Sequence, residues 1–204
     1  MSRLASSVVT TAPASKGPEG GKREAILAAA LHLFSERGFH GTAMPLVAEA
    51  AGVGAGTVYR YFEGKEALVN ALYRECKQRF ASTLLGGLDA SLPTRRVFHD
   101  LWSRLGQFAA AEPEALAFLE LHHHGAYLDE QSLAMDRMMT AAVVEVVAHA
   151  QRQGTLKAVP AEMLCALVFG ALSGMVKAEK AGQLAVTPAL LDQAEACLWE
   201  AIRA

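Results

Sequence analysis

The feature that most constrains the fold of this chain is a pair of short helical segments separated by a glycine. The first segment covers about residues 43–51, Gly52 breaks it, and the second segment covers about residues 55–62. Glycine permits a tight turn that an ordinary side chain would obstruct, and the small side chain of Ala48 lets the two helices cross closely. A longer helix from about Lys22 to Gly38 precedes the pair. The pattern predicts three helices packed around one sharp turn.

Three helices within about forty residues, with a glycine in the second turn, are the geometry of a helix-turn-helix. The third helix begins with very small residues, Gly54 to Gly56, so its first turn can approach another molecule closely. Tyrosine and threonine hydroxyls and an arginine fork follow, and such groups suit phosphate oxygens and base edges. The alternative is that Tyr59 and Tyr61 are packing residues of an ordinary helical hairpin.

The stretch GFHGTAMPLVAEAAGVGAGTVYRYFEGKEALVNAL resembles the DNA-binding domain of the tetracycline-repressor (TetR) family. The resemblance covers roughly residues 20–80. The pattern A-x-x-A-G-V-x-x-G-T-x-Y-x-Y-F-x-x-K-x-x-L is carried by Ala48, Ala51, Gly52, Val53, Gly56, Thr57, Tyr59, Tyr61, Phe62, Lys65 and Leu68. Two positions depart from the family: Gly54 stands where serine or alanine is common, and Ala43 stands where threonine or serine is common.

The resemblance implies a double-stranded DNA partner and assigns contacts to particular residues. Phosphates would be held by Thr42, Thr57, Tyr59 and Lys65. The major groove or its edge would be faced by Ala55, Gly56, Arg60 and Tyr61. A two-fold dimer carrying two such helices one turn of DNA apart predicts a palindromic operator.

Glycine and proline residues, which mark the ends of helices, predict a series of helices throughout the rest of the chain. Thr42 is expected to cap the second helix, and Asp129 and Thr187 to begin later ones. The expected segments are 22–38, 43–51, 55–62, 65–85, 93–110, 113–124, 129–153, 160–181 and 188–203. The fold class is all-α. An N-terminal three-helix domain (21–80) follows a disordered tail (1–20), and a long helix joins it to a C-terminal helical ligand-binding and dimerisation domain (81–204).

The resemblance also implies a small-molecule effector and a homodimer. The segment 160–181 is apolar nearly all round, so it must be buried on more than one side. The alternative is burial within one subunit. The expected dimer interface comprises Leu167, Ala171, Met175, Leu191 and Leu198, and the candidate effector pocket comprises Trp102, Phe118, His122, Tyr127 and Met138. Consecutive histidines at 122–124 point in different directions on a helix, so no metal site is expected.

Charge and composition favour a DNA-binding protein over other classes of function. Residues 1–80 carry a net charge of +3 and the remainder −5, which suits a DNA-contacting module attached to an acidic body. The uncharged, mainly apolar stretch from Met163 to Val176 has 14 residues, fewer than the roughly 20 of a membrane span, so no membrane partner is expected. Three scattered cysteines fit a cytoplasmic setting. No nucleophile elbow or phosphate-binding loop is present, so neither an enzyme nor a cofactor is expected; a helical interaction protein remains an alternative.

Overall fold

The computed structural model describes residues 18–122 and 126–204, with the backbone alone for Pro18–Gly20 and His122. These residues form nine α-helices. They are α1 (Pro18–Gly41), α2 (Met44–Ala50), α3 (Ala55–Tyr61), α4 (Lys65–Leu85), α5 (Thr94–Ala111), α6 (Pro113–His122), α7 (Glu130–Arg152), α8 (Ala161–Lys180) and α9 (Pro188–Ile202). The all-α prediction is confirmed, and most helix ends lie within a residue or two of the expected positions.

Caps and glycines explain most of these boundaries. The side chain of Asp129 accepts a hydrogen bond from the Ser132 backbone N–H at the start of α7, and Thr187 does the same for Leu190 at the start of α9. Gly38 adopts a positive φ of 66°, and the axis of α1 bends there although the helix continues to Gly41.

Thr42 does not cap α2, contrary to expectation. The N-cap is Ala43, which makes no side-chain capping bond. The Thr42 hydroxyl points the other way and donates to the carbonyl oxygens of Leu33 and Gly38, at 3.2 and 2.9 Å. Thr42 therefore stabilises the end of α1 through buried hydrogen bonds.

The first three helices share a core with the front of α4. Phe34, Val47, Val58 and Leu68 are fully buried there. Burying an aliphatic or aromatic side chain of this size contributes about 1.5–3 kcal/mol each, so this small domain depends on a few well-packed residues. The α4 helix continues beyond this core and packs against α5, α6 and α7.

The rear of the molecule packs around α5 and α6. The α6 helix lies along α1, where the rings of Phe118 and Phe34 have centroids 6.2 Å apart. The α9 helix is fastened to α5, because the Trp102 indole N–H donates to the Leu191 carbonyl at 2.9 Å. Buried Glu195 on α9 also accepts a hydrogen bond from Arg95 on α5.

Two expectations lie wholly or partly outside the described residues. The predicted tail, 1–20, does so except for Pro18–Gly20, which form the first residues of α1. Of the histidines at 122–124, only the backbone of His122 is described, at the end of α6.

Candidate nucleic-acid interface and internal cavity

The turn between α2 and α3 is held by backbone hydrogen bonds. Gly52 adopts a φ of 65°, and its N–H donates to the Glu49 carbonyl at 3.0 Å. The Val53 N–H donates to the carbonyl of Ala48, also at 3.0 Å. Ala48 itself is buried, as the expected close crossing of two helices requires. This local geometry sets α3 against α1 and α2 with one face outward.

Most residues of α3 lie on or beside that outward face. Val58 is its one buried residue, and Phe62 directly after the helix is buried too. Tyr59 is 51% exposed. Exposed positions also include Ala55, Gly56 and Arg60, while Thr57 and Tyr61 are half-buried. The six residues expected to face DNA from α3 therefore lie together on or beside one accessible surface.

Arg60 and Tyr61 interact at the end of this surface. The Arg60 guanidinium lies 5.3 Å from the centroid of the Tyr61 ring. Such a cation–π contact contributes about 0.5–1 kcal/mol at an exposed site. The Arg60 Nη2 also donates a long hydrogen bond to the Tyr61 hydroxyl, at 3.5 Å, so the two side chains orient each other.

The side chains of Thr42 and Lys65, which were expected to hold phosphates, donate hydrogen bonds to backbone carbonyls of the protein itself. The Lys65 ammonium donates to the carbonyl oxygens of Phe39 and Thr42, at 2.8 and 3.0 Å. Thr42 is 1% exposed. Both groups already bind the protein's own backbone, so they shape the segment between α1 and α2.

An aromatic stack joins this segment to the rear of the molecule. The rings of Phe39 and Tyr127 are nearly parallel, with centroids 4.0 Å apart. The Lys65 ammonium lies 4.3 Å from the centroid of the Phe39 ring, within cation–π distance. Tyr127, which the sequence had suggested for the effector pocket, thus contacts the DNA-binding domain instead. No sequence pattern indicated this stack.

A cavity of about 590 Å³ lies among α4, α5, α6, α7 and α8, and Ile202 at the end of α9 is also in its lining. Trp102, one of the candidates for an effector pocket, is in its wall. Phe118 and Met138 are not in the lining, because Phe118 faces α1 and Met138 is 74% exposed. Of the remaining candidates, Tyr127 lies in the aromatic stack and the His122 side chain is outside the described atoms.

Polar side chains on one face of α4 join it to the start of α7. We call this set the polar seam; its α4 members are Asn70, Tyr73, Arg74 and Lys77. Their spacing of three and four residues places them on one helix face. The partners are the carbonyl of Tyr127, the backbone N–H and carboxylate of Asp129, the hydroxyl of Ser132 and the carboxylate of Asp136. No pattern in the sequence had predicted this polar face of α4.

Within the seam, the Asp136 carboxylate binds both Tyr73 and Lys77. The Tyr73 hydroxyl donates to it at 3.0 Å, and Lys77 forms an ion pair with it. Burial, together with the nearby Asp136 carboxylate, raises the pKa of Tyr73 above its ordinary value. Tyr73 therefore remains a hydrogen-bond donor at any pH at which the protein would function.

The α8 helix keeps an apolar face exposed. Met163 is 52% and Leu167 44% exposed, and Gly170 and Gly174 continue the face. Ala171 and Met175 are half-buried at its border. By length and composition α8 could also cross a membrane, but Leu164 and Leu172 on its other face are buried in the core. An exposed apolar face of this kind is suited to another protein surface.

The two α9 residues expected at the dimer interface point toward their own subunit. Leu198 is 8% exposed and belongs to the core. Leu191 is half-buried, and a methyl carbon of its side chain lies 3.2 Å from where a Cβ on Gly106 of α5 would be. Across the part of the chain that the structure describes, no group of three potential metal ligands comes together.

A helix-turn-helix with an outward third helix, carried on a helical body that encloses a cavity, defines a DNA-binding regulator of transcription. Matches to two protein-family models support this class of protein. Residues 26–72 match the model described as bacterial regulatory proteins, tetR family, and residues 73–204 match the tetracyclin repressor-like C-terminal domain. The chain belongs to the TetR family of transcriptional regulators.

Individual relatives support the family assignment, one by sequence identity and two by similarity of structure. The HTH-type transcriptional regulator RutR of Escherichia coli K12 is 50% identical over 54 residues, and the match spans only 26% of each chain. A putative TetR-family regulator from Vibrio parahaemolyticus has a structure similar over 90% of this chain and 99% of its own, with a TM-score of 0.73 and 28% identity. A TetR-family regulator from Marinobacter aquaeolei VT8 shares the fold, with a TM-score of 0.76 and 24% identity over 91% and 97% of the two chains.

Proposed function

We propose that this protein is a cytoplasmic, homodimeric repressor that binds a palindromic operator and leaves it when a small molecule enters the cavity. The observation that carries the proposal is the outward face of α3. Val58 is the only buried residue within this helix. A helix that contributed only to the core would bury more of its length. The exposed face of α8 supports the dimer, and the cavity supports the effector.

The proposed DNA contacts divide into two groups. Tyr59 and Thr57 offer hydroxyls to phosphates, and Lys65 and Thr42 position them by fixing the neighbouring backbone. Ala55, Gly56, Arg60 and Tyr61 face the major groove or its edge. Because phosphate contacts fix the register and base contacts specify sequence, Arg60 is the residue on which we expect operator preference to depend most.

The proposed release follows from two helices that serve both regions. Leu116 and Leu119 on α6 line the cavity, while Phe118 on the same helix packs against α1. Similarly, Phe80 on α4 lines the cavity and Leu68 lies in the core of the DNA-binding domain. A ligand that favours one arrangement of α6 and α4 would change the spacing of the two α3 helices, to the extent of its differential affinity.

The test is binding of the purified dimer to a fluorescent fragment of its own upstream DNA, measured by anisotropy over a range of salt concentrations. The logarithm of affinity should fall steeply with the logarithm of salt, by about 0.9 per phosphate contact. Tyr59→Phe should weaken binding to every sequence, and Arg60→Ala should change base preference.

The matched control is Arg152→Ala, which removes an exposed arginine from α7, far from α3 in the chain. It should leave affinity and salt dependence unchanged. Equal effects of Arg60→Ala and Arg152→Ala would contradict the proposed interface. A salt slope near zero for the unmodified protein would contradict DNA binding itself.

A further inference from the structure

One side chain of α4 holds the backbone between α1 and α2. Gly38 has a positive φ of 66°, so the chain leaves the regular path of α1 before it reaches α2. Beyond this bend, the carbonyl oxygens of Phe39 and Thr42 accept hydrogen bonds from the Lys65 ammonium, at 2.8 and 3.0 Å. Lys65 begins α4 shortly after α3 ends at Tyr61. Its bonds therefore join the end of α1 to the residues that follow α3.

The Phe39 ring contacts both Lys65 and a residue from the rear of the molecule. The Lys65 ammonium lies 4.3 Å from the centroid of this ring. A cation–π contact of this kind is favourable only while the ring face is turned toward the cation. The Tyr127 ring lies against the same ring, with centroids 4.0 Å apart and an angle of 13° between the planes. The stack with Tyr127 therefore limits the orientations that Phe39 can adopt beside Lys65.

The backbone that carries Tyr127 is itself fixed to α4. The Asn70 amide donates to the Tyr127 carbonyl at 2.8 Å, and the Asp129 N–H donates to the Asn70 Oδ1 at 2.9 Å. Arg74 also donates to the Asp129 carboxylate at 2.8 Å. Asn70 is 3% exposed, so water competes little for its hydrogen bonds. The Tyr127 ring is thus presented to Phe39 by a segment that α4 holds on both sides of Leu128.

We propose that Tyr127 is a positioning residue for DNA binding. Its ring holds Phe39, and Phe39 together with Lys65 holds the turn between α1 and α2 in the shape with which α3 meets a duplex. A segment that already has its bound shape loses less conformational freedom on binding, which raises affinity without a new contact. This inference rests on the proposed function, because it takes the outward face of α3 to be the DNA-binding surface.

The first test is Tyr127→Leu, which removes the ring and keeps an apolar side chain. Binding of the full-length dimer to a fluorescent fragment of its upstream DNA is measured by anisotropy. Loss of one aromatic pair corresponds to about a fivefold change in an equilibrium constant, and the dimer loses two pairs. Operator affinity should therefore fall by at least about tenfold. The salt slope should stay the same, because no phosphate contact is removed.

Two further variants test whether the ring acts through Phe39. Tyr127→Phe keeps the ring, so its operator affinity should stay within about threefold of that of the unmodified protein. Phe39→Leu should weaken binding at least as much as Tyr127→Leu does. The double variant should bind no more weakly than Phe39→Leu alone, because both residues act through one contact. Additive losses, or equal losses in Tyr127→Phe and Tyr127→Leu, would overturn the proposal.

The matched control is Phe108→Leu, which removes a ring contact within the rear of the molecule, where the Phe108 and Phe80 centroids are 4.9 Å apart. It should lower the melting temperature and leave operator affinity unchanged, which separates positioning from a general loss of stability. Unchanged affinity in Tyr127→Leu would overturn the proposal. A salt slope reduced by about 0.9 would also do so, because it would make Tyr127 a phosphate contact. Absence of operator binding by the unmodified protein would instead contradict the proposed function.

Discussion

Thr42 shows how one residue can have a structural role that its place in a motif does not reveal. It precedes α2 and carries a hydroxyl, so the sequence favours a helix cap or a phosphate contact. In the folded protein the hydroxyl is buried and donates to two carbonyl oxygens at the end of α1. Which way a short polar side chain turns depends on the acceptors that the fold brings near it, and these lie four and nine residues earlier in the chain.

We expect Thr42→Val to lower stability and leave the salt slope of DNA binding unchanged. Valine keeps the shape of threonine but leaves the carbonyls of Leu33 and Gly38 without this donor, at a cost of about 1–3 kcal/mol in the free energy of unfolding. Urea denaturation measures that cost, and anisotropy measures the slope. A salt slope reduced by about one at unchanged stability would indicate a phosphate contact instead.

Cys76 is a second residue whose chemistry depends on its surroundings. It is fully buried on α4, and burial raises the pKa of its thiol to about 11. Because the thiolate is the reactive species, Cys76 should react slowly with disulfide reagents in the folded protein at mildly alkaline pH.

The measurement uses the double variant Cys165→Ser, Cys197→Ser, in which Cys76 is the only thiol. We expect slow labelling by Ellman's reagent in native buffer, an increase as the pH rises toward 11, and complete labelling in guanidinium chloride. Rapid stoichiometric labelling of the folded protein would contradict the assigned burial.

At the scale of elements, helix positions were predictable and helix-to-helix contacts were not. Glycine, proline and capping residues mark helix ends locally, so α4, α7 and α9 began within a residue of the expected positions. The polar seam depends on residues about sixty positions apart, such as Asn70 and Asp129. A single sequence carries no local signal for such a pairing.

Asn70 is the member of the polar seam that we expect to contribute most to stability. Its amide donates to the Tyr127 carbonyl at 2.8 Å, and its Oδ1 accepts from the Asp129 N–H at 2.9 Å. Asn70→Leu keeps the size but leaves these two backbone groups without their partner. We expect the free energy of unfolding to fall by about 1–3 kcal/mol, measured by urea denaturation.

Gln78→Leu is the control for this substitution, because Gln78 is exposed on the same helix. Its effect should stay within about 0.5 kcal/mol, as for most surface substitutions. Similar losses in the two variants would mean that the seam does not hold α4 to α7.

At the scale of the whole molecule, the DNA-binding surface was more predictable than the cavity. The small and hydroxyl-bearing residues of α3 follow one another in the chain, so one short pattern locates the surface. Residues of six helices, α4 to α9, line the cavity, and whether a side chain faces inward depends on how all of them pack. Of the residues proposed for an effector pocket, Trp102 lies in its wall and Phe118 faces α1, whereas Glu120, which also lies in the wall, had not been predicted.

The exposed face of α8 yields a prediction about assembly. Leu167→Glu puts a charge on that face, and an unpaired charge buried between two subunits would strongly oppose association. We expect the dimer to dissociate, with the mass measured by light scattering falling to that of one chain. Operator affinity should fall by at least about tenfold, because one α3 helix would then bind alone.

Met138→Glu is the matched control, since Met138 is 74% exposed on α7. It should leave both the mass and the affinity unchanged. If Leu167→Glu remained dimeric, α8 would not be the interface and the spacing of the two α3 helices would require another explanation.

The anchoring of α3 through a single inward side chain has a practical consequence. Since Val58 alone within the helix is buried, the exposed residues Ala55, Gly56, Tyr59 and Arg60 can be exchanged with little cost to folding. The operator could then be reprogrammed while the cavity is left intact. A chimeric regulator that keeps this body and carries the outward residues of another family member would place a new promoter under the control of the same chemical signal.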